Sequence, residues 1–317
     1  MSNENKNLGL IVTSGFVAIV LLVFPYFASN FQVFLLTRIV ITSLASMSLI
    51  LLAGYGGMLS FAQISFYGIS AYSIGILVMN NGFAFGPAIF ISLIICLIIG
   101  ALLGLIVVRT KGYYFIMMTL SFSQLVYLCA LQWVELTGGF NGITGIPPIE
   151  LFGYPFTGNL RIYYLSLVVT VLCYLSLKRI AASSFGLALQ GVRDNERKMA
   201  ALGFNTIWIK YCAFVMGIFF ASLGGVLAIA FYGMISPGAV MLNSAVLLLF
   251  VALIGGITKF EGAFVGSVVY VLLEDFFSQY TERHMMIIGI VFILVVLFMP
   301  KGILGIKLKI GKTGGQS

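Results

Sequence analysis

The sequence predicts an all-α polytopic membrane protein: a bundle of about ten transmembrane helices with two pseudo-repeated halves, read as a single integral-membrane domain over residues 1–317. Three observations lead there. Hydrophobic residues make up 61% of the chain and charged residues only 8%, with 28 Phe and a mean hydropathy of +1.13, whereas soluble domains carry about a quarter charged residues. Apolar runs of about 20 residues, the length that crosses a ~30 Å hydrocarbon layer, recur along the chain. Basic residues gather between alternate runs, as orientation in a membrane requires. Nine acids and seventeen bases cannot coat a soluble core of this size, so an ordinary soluble enzyme is excluded. The net charge of +8 is thinly spread, with no basic patch interleaved with aromatic residues, and reads as an orientation signal rather than a nucleic-acid surface.

Cutting the chain at charges and at Gly/Pro clusters gives ten segments: 8–28, 33–53, 61–79, 85–108, 113–134, 162–177, 210–231, 241–256, 262–277 and 285–299. The first follows MSNENKN and is long for the apolar region of a cleaved signal peptide, so it is read as a retained span. With both termini inside, the cytoplasmic side collects fourteen of the seventeen bases. Arg161 and Arg283 fall in outer loops, and Arg38 sits near the outer end of the second span, from where it can extend to the interface. An odd number of spans would destroy this asymmetry. Residues 135–161 form a Gly/Pro-rich outer loop, residues 178–210 an inner loop with six of the bases, and residues 300–317 a cytoplasmic tail. Both long loops are too apolar for disorder and are candidate docking surfaces.

Catalytic chemistry finds little support. His284 is the single histidine, so no metal site or catalytic pair can be built on it. Glu274 and Asp275 are adjacent at the end of a span, point in different directions around a helix, and read as interfacial. Cys96, Cys129, Cys173 and Cys212 form no CxxC pair and read as small buried hydrophobes. Gly311, Lys312 and Thr313 imitate the end of a phosphate loop, but Ile306 stands where its first glycine belongs. No ATP site and no bound cofactor are therefore expected in this chain.

Glycine carries more information. LAGYGGMLSFAQISFYGISAYSIG, residues 52–75, mixes Gly56 and Gly57 with Ser60 and Gln63 at membrane depth. Close helix packing and a broken or re-entrant helix both fit it. Gly56, Gly57, Ser60 and Gln63 are accordingly candidates for a substrate path or a subunit interface. Gly100 with Gly104, and Gly262 with Gly266, have the GxxxG spacing of helix contact faces. A looser Gly-rich echo at residues 253–270 suggests the repeat.

The inner segment SSFGLALQGVRDNERKMAALGFNTIWIK, residues 183–210, has helix punctuation. Asp194 or Asn195 can cap a short helix that Gly203 ends with a positive φ, and Ser183 or Ser184 can cap a preceding one with Phe185, Leu189 and Val192 on its apolar side. Such a helix could rest on anionic lipid. The two-sign cluster Arg193, Asp194, Glu196, Arg197 and Lys198 suits a protein groove better.

GYGGMLSFAQISFYGISAY, TGGFNGITGIP, SSFGLALQGVRDNERKMAALGFN and the later SPGAVMLNSAVLLLFVALIGGITKFEGAFVGSVVYVLLE and VVLFMPKGILG occur in this order between about residues 37 and 304. Together they resemble the branched-chain amino acid permeases of bacterial ABC importers, the LivH/LivM family, in its LivM-type branch. The family commonly has Gly where Ala62 and Gln63 stand here, and Ala or Glu in place of Arg197 and Lys198. The resemblance implies a bacterial cytoplasmic (inner) membrane permease subunit that moves an amino acid, Leu, Ile or Val, inward by alternating access. It implies a LivH-like second permease subunit, two ATP-binding subunits that hydrolyse ATP, and an extracytoplasmic solute-binding protein. It places Arg193, Asp194, Asn195, Glu196, Ala200 and Gly203 in the helix that couples to an ATPase subunit. The rival readings are an ion-coupled secondary transporter, which would need ionisable groups at mid-span, and an ABC permease for another small solute such as urea or amides.

Overall fold

The computed structural model describes residues 22–151, 154–156, 158–281, 283–299 and 302–304. Residues 22–27 are helical. The first full helix, α1 (Asn30–Ile50), starts at a capping box in which Ser29 Oγ accepts from Gln32 N–H and Gln32 accepts from Ser29 N–H. It runs on through a π-helical turn, Leu51–Tyr55. There follow α2 (Ala62–Met79), α3 (Phe85–Val107), α4 (Tyr113–Gln132) and α5 (Asn159–Ala182). After α6 (Ser184–Ala201) come α7 (Thr206–Tyr232), α8 (Leu242–Gly255), α9 (Glu261–Tyr280) and α10 (His284–Phe298).

Among the described residues six helices are long and apolar enough to cross a membrane: α1 with its π turn, α2, α3, α4, α5 and α7. α8 and the apolar part of α10 are shorter, and α9 carries Glu261, Glu274 and Asp275. The expected run 8–28 and the tail 300–317 lie largely outside the described residues. Arg109, Lys111, Lys178, Arg179, Arg193, Arg197, Lys198, Lys210 and Lys259 all gather at one end of the bundle, here the basic end.

The centre is α1 and α7, whose apolar windows are 78% and 72% buried, against 22% for α3 and for α4. Small residues bring the helices together. On α3 every fourth residue, Ala88, Ser92, Cys96, Gly100 and Gly104, is small and buried, while Phe90, Ile94, Ile98 and Leu102 form the exposed side. A Cβ on Gly100 would stand 2.5 Å from Ile218 on α7, so this GxxxG pair is a contact face as its spacing predicts. Ser70 on α2 donates to the Ser222 carbonyl of α7, and Ser92 donates to the Ser70 carbonyl, each at 2.8 Å. α8 and α9 approach closer still: a Cβ on Gly255 would meet the Gly262 carbonyl oxygen at 1.7 Å, and one on Gly266 the Val251 carbonyl oxygen at 1.9 Å.

The inner segment 178–210 holds the capped helices its punctuation predicts, between the ends of α5 and α7, with Leu189 and Val192 buried against the bundle. The described residues of 135–161 form a helical turn (Val134–Thr137), a 3-10 turn (Gly139–Asn141) and a two-residue antiparallel strand pair, Glu150–Leu151 with Tyr154–Pro155. Ile143 pairs with Ile235, pinning this segment to the α7–α8 connection. One expectation needs correction: Cys96 and Cys173 are buried but Cys129 is exposed. α4 turns most of its apolar surface outward, where a thiol is as much at home as in a core.

Candidate functional site

Two groups of residues that are remote in sequence meet at the basic end. α1 ends in the π turn, and Gly57, with φ +66°, turns the chain towards α2. The break therefore falls at the end of the span rather than in mid-membrane. A widened π turn leaves carbonyls without their helical partners. One of these, Gly54 C=O, accepts from Arg193 Nη1 at 2.7 Å. Arg193 reaches it because Gly57 has no side chain: a Cβ there would stand 2.7 Å from Arg193 Cγ.

α6 carries Arg193. Ser183 Oγ caps it by accepting from Gly186 N–H at 3.4 Å, and Leu189 and Val192 are buried against the bundle. At Asn195 the backbone is extended, φ −159° and ψ 94°, and the helix bends sharply. Asn195 Oδ1 accepts from Lys198 N–H at 3.0 Å, so of the two possible caps Asn195 is the one used. In a straight helix residues 191 and 199 would be about 12 Å apart, yet Met199 lies against Gly191. The second arm is thus folded back on the first. It ends at Gly203, φ +88°, with Phe204 N–H bonded to the Met199 carbonyl.

Glu196 ties the bend to its surroundings. Its carboxylate accepts from Lys210 Nζ at 2.7 Å and from Thr206 Oγ1 at 3.2 Å, both on α7, and pairs with Lys111 of the α3–α4 turn at 3.1 Å. Burial alone would raise its pKa, but the two lysines outweigh that and hold it below the usual carboxylate value. Gly56, Gly57, Lys111, Arg193, Asp194, Asn195, Glu196 and Lys210 line a half-open cavity of about 300 Å³. Beyond the bend Ala200, Leu202, Gly203 and Phe204 are exposed, as are Ile207 and Trp208 at the start of α7.

The predicted residues therefore divide. Gly56 and Gly57 join Arg193, Asp194, Asn195 and Glu196 in one site, and Ala200 and Gly203 sit on the exposed arm. Ser60 and Gln63 are buried at 1% exposure and do not line the cavity; the Gln63 amide faces Gly217 inside the bundle. Sequence reasoning missed Lys111, Lys210 and Thr206, although Lys111 and Lys210 were visible as bases flanking spans. It also took Arg38 and Glu274 for interfacial groups. They bond to each other between α1 and α9 at the opposite end, partly buried, because a pair of opposite charges is tolerated in the membrane where single ones are not.

A helical bundle with lipid-compatible outer faces and a bent helix docked on its basic end defines a polytopic membrane protein. The chain belongs to the family described as the permease component of branched-chain amino acid transport systems, whose model matches residues 31–296. Among curated relatives it is 26% identical to the high-affinity branched-chain amino acid transport system permease protein LivM of Salmonella typhimurium, over 94% of this chain and 77% of that one. The LivM of Escherichia coli K12 is also 26% identical, over 92% and 75%. LivH of the same strain is 31% identical over 54% of this chain and 56% of its own. No solved structure matches the chain significantly.

Proposed function

We propose that this chain is the LivM-type permease subunit of an ATP-driven importer that moves branched-chain amino acids, Leu, Ile or Val, across the cytoplasmic membrane. The observation that carries the reading is the link from Arg193 to Gly54: the bent helix at the basic end holds a backbone carbonyl at the end of the central helix. α6 is the coupling element. Its exposed arm, Ala200 to Phe204, enters a cleft of an ATP-binding subunit, while a LivH-like permease covers part of the outward apolar surface and an extracytoplasmic binding protein delivers the solute. Closure of two ATP-binding subunits pulls α6, α6 pulls the end of α1 through Arg193, and the Gly56–Ser60 break lets α1 move relative to α2. The chain itself hydrolyses no ATP and binds no cofactor. All ten segments span, both termini are cytoplasmic, and the two halves are pseudo-repeats.

Vesicles holding this chain, its second permease and the ATP-binding subunits should accumulate leucine only when ATP and the binding protein are supplied. Uptake driven by an ion gradient with the ATP-binding subunits absent would overturn the reading. Topology has its own test. Phe140 is 84% exposed, and Leu187 at the basic end is 65% exposed. In a Cys-free background, an impermeant thiol reagent should label Phe140→Cys in intact cells and Leu187→Cys only in inside-out vesicles. Labelling of Leu187→Cys in intact cells would reverse the orientation.

A further inference from the structure

The end of the bundle opposite α6 holds a second cavity of about 300 Å³ that the coupling mechanism does not use. Arg38 and Glu274 bond across it, with side chains 24% and 16% exposed. Arg38 lies eight residues into α1, about 12 Å from the helix start, and Glu274 six residues from the end of α9, about 9 Å. Charges at that depth are costly and mark functional sites unless they are purely structural. Tyr67, Tyr232 and Tyr270 also line the cavity; Tyr232 interacts with Arg38 and Tyr270 with Glu274. The remaining wall includes Leu248 and Val251, giving an apolar surface beside the ion pair.

We infer that this cavity is the outer solute site, in which Arg38 takes the carboxylate and Glu274 the ammonium of an α-amino acid while its aliphatic side chain rests on Leu248 and Val251. The inference rests on the transport reading above. A zwitterion can enter by exchange of partners: the Arg38–Glu274 bond opens, each charge gains an opposite one from the ligand, and no net charge is added to the membrane interior. A single cation or anion could not do so without leaving Glu274 or Arg38 unpaired. The volume is at the lower limit of small-molecule sites, which suits a ligand the size of an amino acid. An ethanolamine phospholipid headgroup shares the paired ammonium and anion, so the test must separate the two.

The complete transporter, with its binding protein, is reconstituted in vesicles without ethanolamine lipids, and wild-type leucine uptake serves as the reference. Arg38→Gln and Glu274→Gln are expected to lower uptake about tenfold or more. The double reversal Arg38→Glu with Glu274→Arg restores the ion pair but presents the charges the wrong way round for an L-amino acid held against Leu248 and Val251. It is expected to recover wild-type thermal stability and abundance without recovering uptake. Wild-type uptake in either single variant, or in the reversal, overturns the proposal and makes the pair a clamp between α1 and α9. Uptake that appears only after ethanolamine lipid is added also overturns it and assigns the cavity to lipid. Absence of wild-type uptake under every lipid condition would instead strike at the transport reading itself.

Discussion

Replacing Glu196 by Arg is expected to abolish leucine-stimulated ATP hydrolysis and uptake while membrane abundance stays near normal. Glu196 pairs with both Lys111 and Lys210, and the Lys210 side chain is only 7% exposed. Reversal leaves two lysines and a guanidinium at one point. Losing the partner of a buried, hydrogen-bonded charge costs about 2 kcal/mol at the lower end of the usual range, which is the end that applies to a partly exposed carboxylate. That is roughly a 30-fold change in the docked population of the bend. Glu196 itself lies outside the spanning helices, and its partners Thr206 and Lys210 sit in the first turns of α7, so insertion should proceed. Comparing ATP hydrolysis with and without leucine-loaded binding protein reads the loss directly; wild-type stimulation would show that coupling does not run through α6. The same contact has a pH signature. Since the two lysines hold Glu196 below its ordinary carboxylate value, its contribution is present above the unfolded pKa and lost only as pH falls through the lowered one. Coupling should thus hold through mild acidity.

Replacing Gly57 by Leu is expected to cost nearly as much by a different route. Its φ of +66° is one that L side chains adopt at a penalty of roughly 1–2 kcal/mol. Its Cβ would also stand 2.7 Å from Arg193 Cγ and 3.6 Å from Arg193 Cα, so relief requires α6 to back away and give up the Gly54 carbonyl. Gly112 provides the control. It lines the same cavity with φ +57°, but a Cβ there meets nothing within 4 Å. Gly112→Leu should therefore show the backbone strain alone, whereas Gly57→Leu should lower uptake by about another factor of ten at equal abundance. Equal uptake in the two variants would mean that the Arg193 contact transmits nothing.

The six long apolar helices are legible in the sequence because lipid leaves a one-dimensional record in length and hydropathy. The cap at Ser183, the stop at Gly203 and the apolar positions Leu189 and Val192 were readable for a similar reason, since each depends on residues within one or two turns. What could not be read depends on contacts between distant segments. Asp194 and Asn195 are equivalent as caps until the bend chooses Asn195. Gly57 looks like any small residue until Arg193, far along the chain, is seen passing over it. Arg38 and Glu274 each look interfacial alone, and only the packing of α9 against α1 turns them into a pair. Ser60 and Gln63 stand out as polar within the Gly-rich stretch, but polarity does not say which way a side chain points, and both are buried inside the bundle.

The glycine contact between α8 and α9 limits how this molecule can deform. With the Gly262 carbonyl seated where a Gly255 Cβ would be, and Val251's carbonyl likewise opposite Gly266, the two backbones mesh like gear teeth. Sliding either helix along its axis by one residue would drive a carbonyl oxygen into a Cα. Shear between them is therefore blocked, and the hairpin moves as one rigid plate. Any rocking has to be absorbed outside the hairpin, as in the connection from α7 to α8, which begins at Gly233 with φ +61°.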